Sequence, residues 1–535
     1  MLSQKAILKN KYYLYLTEFF SGMAVMAVEL GASRLLAPYF SSSQIVWTII
    51  IGTIMIAMAL GNIYGGKSAD KNPNPDKLYG RILIAAVWIA AIPVLGKYII
   101  MGISALLIVT VNTNFLIWAA FLACMTIFVF PLFLLGTVTP SLAKYTMNSL
   151  EDSGRTVGNL NAFNTIGSII GTFLPTFVTI PAVGTAVTFL IFSGVLLILG
   201  LIYFVSARAK KMRCIIMTAV FILFAVLGCL GGFAFWQSGL LYEGESVYNY
   251  LQVKEDDEDV ILSTNVLFGV QSIMKKDGEL TGMYYDYAMA APFMSGSMAR
   301  AESTDILVLG MGTGTYATQC RRYIPGVTVE GVEIDEKITE LAGEYFRLDP
   351  EIEVATYDGR AYLNAIDGTY DVIMVDAYQD ITIPFQMSSM EFFTMVKEHL
   401  KEDGVMVVNM NMRGNGEGDI NAYLSDTIAS VFECVYTVDV AGSTNRELFA
   451  SSNRDMKEVF SANLKAAKDE ALYAMVNRVK EEMVSYEGGD CIMTDDKAPV
   501  ELLGMQVIDA LIMEEIGYYR NIFKEEGIKG LLRQI

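Results

Sequence analysis

From residue 12 to residue 236 the chain is a succession of apolar runs almost free of charge, and this stretch constrains the fold more than any motif does. Crossing the hydrocarbon of a bilayer takes about 20 apolar residues. At that length the stretch divides into about seven spans: 13–39, 45–66, 81–97, 115–142, 157–180, 187–206 and 215–236. The apolar piece 98–111 is shorter and is expected to be interfacial or re-entrant. A cleavable signal is not expected, because the first run is long and a second follows at once.

Polar residues inside these spans are costly unless they face one another or a cavity. Glu18, Glu29 and Arg34 fall in the first span, and Asn161 and Asn164 in the fifth. Glu29 and Arg34 suit either a helix-pinning ion pair or a transport role. Gly167 and Gly171 have the spacing that lets two helices approach closely.

After residue 240 the composition changes. Most of the net charge of -19 lies there, which argues against nucleic acid as a partner and would tolerate a cationic ligand. The six cysteines form no CxxC pair and no disulfide or metal spacing. The single histidine, His399, excludes a zinc site built on two histidines. It reads as an exposed residue near a helix C-terminus, and no metal is expected.

Residues 241–280 hold short strand-like runs and predict a small antiparallel sheet. Over 281–455 strands and helices alternate: ILVLG then TQCRRYI, VEGVEI then KITELAGEYF, EVATY then GRAYLNAI, DVIMVDA then MEFFTMVKEHL, and VMVVNM. Alternation of this kind implies crossovers and a doubly wound, Rossmann-like parallel sheet. Residues 456–535 read as a C-terminal helical segment. The expected architecture is thus an α-helical membrane domain over 1–240, the small β region, the α/β domain and the helical tail.

In DILVLGMGTGTYATQ, Gly310, Gly312 and Gly314 follow a strand directly, where glycine permits a tight turn and a ligand's approach to the backbone. Carboxylates then recur at strand ends: Glu333, Asp358 before Gly359, and Asp376. Open α/β sheets bind ligands at those ends. Each acid also has a local explanation. Glu333 and Asp335 suit a strand end and a helix cap, and Asp358 suits a turn. A dinucleotide-binding loop would read GxGxxG, whereas here the third glycine comes one residue early and Thr315 follows.

The series VELGASRLLAPYFSSSQIVWT, ALGNIYGGKSADK, GTVTPSLAKY and GNLNAFNTIGSIIGTF resembles the membrane half of fused major-facilitator/spermidine synthase-like proteins. The order GxGxG, VEID, YDG, YDVIMVDAY resembles the S-adenosylmethionine-type fold of spermidine synthases. That resemblance implies that Gly310 to Thr315 form the donor loop, Glu333 holds the ribose, Asp358 meets adenine and Asp376 takes a proton from the amine. LFGVQS looks like the family's LDGxxQ shortened by one residue, which makes Gln271 a further donor-binding candidate. TDDKAPVE resembles a segment of the fused members, and its acids suit either the substrate mouth or a helix cap.

Two departures stand out. Thr313 replaces the acid of the family's GGGDGG, and DSSD becomes DAYQD, which moves the second acid to Asp380. The resemblance implies an aminopropyltransferase using decarboxylated S-adenosylmethionine and a small amine such as putrescine, releasing methylthioadenosine. Tyr378 or Tyr285 would orient the nucleophile beside Asp376. Asp380 and Asp286 are candidate amine-binding acids, and Thr313 and Asp335 complete the donor-site candidates. Two alternatives stay open: an enzyme acting on intact S-adenosylmethionine, for which Thr313 leaves room, and a transporter whose soluble part senses a ligand. Homo-oligomerisation is also left open.

A lipid bilayer is the remaining partner, with the chain multi-pass in the cell membrane. Lysines 5, 9 and 11, the group Lys67, Lys71, Lys77 and Arg81, and the group Arg208, Lys210, Lys211 and Arg213 mark cytoplasmic ends by the positive-inside rule. With seven spans the soluble part then falls outside, whereas supply of a cytosolic donor favours the inside. The cytoplasmic side is expected here, on the ground that 98–111 or the seventh span is miscounted by one crossing.

Overall fold

The computed structural model describes residue 7 and residues 10–504, except 41–42, 112–113, 147–152, 233–238, 266–269, 301, 379–382 and 411–417, with scattered positions in 507–524. The first half is a helical bundle: α1 (Lys11–Phe40), α2 (Gln44–Lys71), α3 (Pro75–Thr110), α4 (Phe115–Gly136), α5 (Val138–Thr146), α6 (Ser153–Leu174), α7 (Ile180–Ser206) and α8 (Lys211–Leu230). Among the described residues six helical segments are long and apolar enough to cross a membrane. The longest, Gly154–Ser206, has 53 residues, about 80 Å of helix at 1.5 Å per residue. It doubles back at Gly184, whose φ of 78° no helix holds. Counting both limbs, the described helices pass along the bundle seven times.

Two pairs of contacts fix the directions of those limbs. In α6, Asn164 donates to Glu18 and Gly167 abuts Phe19, so α6 runs parallel to α1. In α7, Phe189 packs on Gly31 while the Tyr13 hydroxyl reaches the Leu199 carbonyl, so α7 runs the other way. A Cβ on Gly167 would come within 1.9 Å of the Phe19 carbonyl oxygen, and one on Gly171 within 2.2 Å of that of Met23. This is the close approach that the spacing of small residues led us to expect.

Two sequence readings are corrected here. Residues 98–111 are not a re-entrant piece: α3 is one helix of 36 residues that continues through Pro93. Its apolar composition simply prolongs the helix beyond the usual span, a length that tilt can accommodate. Arg34 does not lie on Glu29; its guanidinium donates to the Val247 carbonyl in the following domain. With α3 continuous, the ground for a miscounted crossing there disappears.

The second half begins with an antiparallel meander, β1 (Leu240–Glu245), β2 (Tyr250–Glu255), β3 (Asp259–Thr264) and β4 (Ser272–Lys275). Short helices α9 (Tyr284–Ala288), α10 (Ala291–Met294) and α11 (Gly296–Arg300) lead into the α/β domain. There β5 (Thr304–Leu309), α12 (Thr315–Tyr323), β6 (Val327–Glu333), α13 (Glu336–Tyr345), β7 (Glu353–Thr356), α14 (Gly359–Leu363), β8 (Tyr370–Val375), α15 (Met390–Glu398) and β9 (Leu400–Met410) alternate as expected. After α16 (Ile420–Ala429) come β10 (Cys434–Asp439), β11 (Arg446–Ser451), α17 (Met456–Asn463), α18 (Glu470–Glu482) and β12 (Val484–Ser485).

The sheet order is β12-β10-β11-β9-β8-β5-β6-β7. The five strands β9, β8, β5, β6 and β7 are parallel, and β11 joins β9 antiparallel. The winding reverses between β5 and β8, the position where doubly wound sheets open a ligand crevice. The C-terminal segment also supplies the edge strand β12, because Val484 and Ser485 pair with β10. His399 ends α15 half-buried, with its two ring nitrogens near the Met395 and Ile366 carbonyls.

Among the described residues, the hydrogen bonds between the halves fall at one end of the bundle. Besides Arg34, the backbone N–H of Gln44 donates to Glu501 (2.8 Å), and Thr185 donates to Glu245 through its N–H and its hydroxyl (2.5 and 2.6 Å). The basic residues gather at the opposite end, where Lys144 pairs with Asp70, Arg81 donates to Ser68 and Arg213 donates to the Gly80 carbonyl.

Candidate active site

The reversal between β5 and β8 sets the glycine loop beside the end of β8. Gly310 has φ of 86°, and a Cβ there would lie 2.7 Å from the Ala377 backbone, so the turn after β5 closes only without a side chain. Gly312 and Gly314 also sit at positive φ, and Gly314 caps the start of α12. The N–H of Gly312 donates to Glu333 Oε2 (2.9 Å), and the N–H of Asp335 donates to Glu333 Oε1 (3.0 Å). The carboxylate at the end of β6 thus braces the loop after β5.

A cavity of about 390 Å³ opens here, lined by Gly310, Gly312, Glu333, Asp358, Gly359 and Asp376. Gln271 and Ser272 form one wall, while Ile334, Ile383, Pro384, Phe385 and Met387 supply an apolar one. Carboxylates from three strand ends, a glycine loop and an apolar slot suit a ligand with a hydroxylated ring, a flat base and a cationic tail. Its rim carries Tyr248 and Glu501, both next to the ties to the helical bundle. Of the acids in TDDKAPVE, Glu501 reaches the rim, whereas Asp495 pairs with Arg360 and Ser389.

Asp376 is the lining carboxylate held by two side chains. Its Oδ2 accepts from the Tyr284 hydroxyl (2.8 Å) and its Oδ1 from Asn409 Nδ2 (2.9 Å). Burial pushes the carboxyl up to about 7, against the lowering pull of those two hydrogen bonds. Burial also pushes Glu333 up to about 7, opposed by the two backbone amides it accepts. A carboxyl poised near neutral pH beside a ligand cavity is suited to accept a proton. Asp358 accepts from the Ala361 N–H (2.9 Å) and caps α14, so the cap and the cavity wall are the same residue.

The other described candidates do not themselves line the cavity. Tyr378 is buried, its hydroxyl donating to the Met387 carbonyl (3.0 Å), and it does not line the cavity. The Tyr285 hydroxyl donates to the Gln271 carbonyl (3.1 Å), and its ring lies 3.9 Å from that of Tyr284. Thr313 is buried, with its N–H towards Ser272 and its hydroxyl near Thr315. Asp335 caps α13 and accepts from Ser246 (2.5 Å) and Asn249 (2.7 Å), which latches the meander to the α/β domain. Asp286 is buried and accepts from Gly282 and Thr281 in its own loop. Asp380 lies outside the described residues, as do positions 267–269 of LFGVQS.

Two partners of Asp376 were not read from the sequence, Tyr284 and Asn409. For Asn409 the signal was a polar residue inside the apolar run VMVVNM; for Tyr284 it was adjacency to the chosen Tyr285.

Residues 290–440 match the spermine/spermidine synthase domain model. The chain is 53% identical over 352 residues to a probable polyamine aminopropyl transferase of Bifidobacterium longum, covering 63% of this chain and 78% of that one. It is 29% identical to a polyamine aminopropyltransferase of Vibrio vulnificus, over 36% of this chain and 66% of that one. Among solved structures, spermidine synthase from Thermotoga maritima is 20% identical and covers 45% of this chain and 87% of its own, with a TM-score of 0.36. The extent and identity of the Bifidobacterium match place this chain in the polyamine aminopropyltransferase family.

Proposed function

We propose that the protein is a membrane-anchored aminopropyltransferase that uses decarboxylated S-adenosylmethionine as donor and a small amine as acceptor. The observation that carries this reading is the convergence of Glu333, Asp358 and Asp376 with the glycine loop on one cavity. Glu333 holds the ribose hydroxyls, Asp358 faces the base, and the apolar residues from Ile383 to Met387 cover its plane. The amine nitrogen attacks the carbon next to the sulfonium sulfur. A carbon–nitrogen bond forms as the carbon–sulfur bond breaks, methylthioadenosine leaves, and Asp376 takes the proton from nitrogen. Holding the two reactants in line supplies much of the rate.

Changing Glu333 to Ala is expected to weaken methylthioadenosine binding by roughly 1–3 kcal/mol, the worth of charge-assisted hydrogen bonds. Isothermal titration checks this, and an unchanged affinity would remove Glu333 from the donor site. A second reading, use of intact S-adenosylmethionine, rests on Thr313 at the position of the family's loop acid. Product analysis with each donor separates the two.

In this reading the bundle crosses the membrane with its basic end in the cytoplasm. Seven passes then carry the α/β domain to the opposite side, which reverses the placement expected from donor supply.

A further inference from the structure

The acids of TDDKAPVE suited a substrate mouth or a helix cap, and Asp495 takes neither part. It does not line the cavity, and among the described residues its carboxylate accepts from side chains alone. The Arg360 fork takes both oxygens, Nη1 to Oδ1 (2.7 Å) and Nη2 to Oδ2 (2.6 Å), and Oδ1 also accepts from the Ser389 hydroxyl (2.6 Å). Paired bonds of this kind between charged groups are strong and directional. The segment around it is fastened to the start of α15. The Asp495 N–H donates to Glu391 Oε2 (3.0 Å), and the Met493 carbonyl accepts from the Met390 N–H (2.9 Å).

The apolar slot of the cavity has two walls from separate loops. One is Asp358 and Gly359 at the start of α14; the other is 383–387, ahead of α15. They come close together: a Cβ on Gly359 would lie 3.1 Å from Met387 Cε. Arg360, the residue after Gly359, bridges them, because the Nη1 that meets Asp495 also donates to the Gln386 carbonyl (2.9 Å). A long arginine gives up rotamer freedom to hold that one carbonyl. The Asp495 carboxylate fixes the plane of the guanidinium, and Arg360 in turn holds the Asp495 carboxyl below the usual carboxylate range. We propose that Asp495 is a positioning residue for the donor: through Arg360 it sets the spacing of Gly359 and Gln386, and with it the fit of the slot to the donor's base. This rests on the aminopropyltransferase reading. Neither Arg360 nor Asp495 lines the cavity, so the role lies in donor binding and leaves proton transfer to Asp376.

The test uses the full-length protein, methylthioadenosine as the binding probe, and decarboxylated S-adenosylmethionine with putrescine for turnover. In Asp495→Asn the amide keeps the size and the Ser389 bond but turns an NH2 towards the Arg360 fork. The Kd for methylthioadenosine and the KM for the donor should both rise about tenfold, while kcat at saturating donor changes by no more than about twofold. Arg360→Ala should show the same loss, and the double variant no greater one, because the two side chains act as a unit. Ser389→Ala removes the cap of α15 and one bond to Asp495 but leaves the fork in place. It should lower the unfolding temperature and keep the donor KM within about twofold of wild type. Should Arg360→Ala not fold, the comparison of Asp495→Asn with Ser389→Ala decides alone. An unchanged Kd in Asp495→Asn, a loss confined to kcat, additive losses in the double variant, or an equal rise in donor KM in Ser389→Ala would each overturn the assignment. Wild type that neither binds methylthioadenosine nor transfers would instead overturn the reading of the whole site, and the positioning role with it.

Discussion

Asp376→Asn is expected to lower turnover by roughly 10²- to 10⁴-fold, the usual worth of a positioned proton acceptor, while methylthioadenosine still binds. The amide keeps the shape and its one oxygen can still accept from Asn409, while its NH2 has to donate to the Tyr284 hydroxyl in place of accepting from it. Retained methylthioadenosine binding then separates loss of the base from damage to the site. In wild type the rate should rise with pH through about 7, because burial holds the carboxyl there and the charge of Glu333 adds to it. The variant should lose that limb of the profile. Stability should move in the opposite direction. With its folded-state value above the unfolded one, Asp376 binds its proton more tightly in the native protein, so its contribution is present at low pH and is lost as pH rises towards 7. At pH 8 the Asn variant should therefore unfold at a higher temperature than wild type. Equal turnover at every pH would exclude Asp376 as the base.

The second result concerns sidedness and is close to all-or-none. Cysteine is introduced at Ala474, exposed on α18, or at Asn72, exposed just after α2, in a background with Cys214, Cys229, Cys434 and Cys491 changed to Ser. In intact cells an impermeant maleimide should label the first and not the second; permeabilisation should expose both. The expectation stands on two independent features, the clustering of basic residues at one end of the bundle and the odd number of passes between that end and the α/β domain. Labelling at position 72 alone would place the α/β domain in the cytoplasm. The expected pattern would make passage of the donor across the membrane part of the enzyme's working cycle.

Much of the α/β domain was legible because its signals are local. Glu333 ends its strand, Asp376 directly follows its own, Asp358 comes two residues after β7, and the glycine loop follows β5 at once, so chain order alone arranged them. What escaped depends on register between distant strands. Asn409 meets Asp376 across 33 residues, a contact that no spacing announces. Asp335 misled for a complementary reason: adjacency to Glu333 suggested the donor, but its side chain turns to Ser246 and Asn249 in the meander. The 98–111 stretch was misread because hydropathy gives the length of an apolar run and not where a helix stops.

The joint between the two halves leans on main-chain groups of the bundle. Glu501 and Glu245 accept backbone N–H groups at Gln44 and Thr185, near the starts of α2 and α7, and Arg34 seeks a carbonyl in return. Helix starts offer such N–H groups whatever side chains they carry. Over evolutionary time the bundle is therefore free to change its side chain at Gln44 while the partner domain keeps its seat, whereas the Thr185 hydroxyl and the Arg34 guanidinium are side-chain ties. The constraint falls on the two glutamates, Thr185 and Arg34, and a bundle of otherwise different sequence with those groups and helix starts in the same places would accept the same domain.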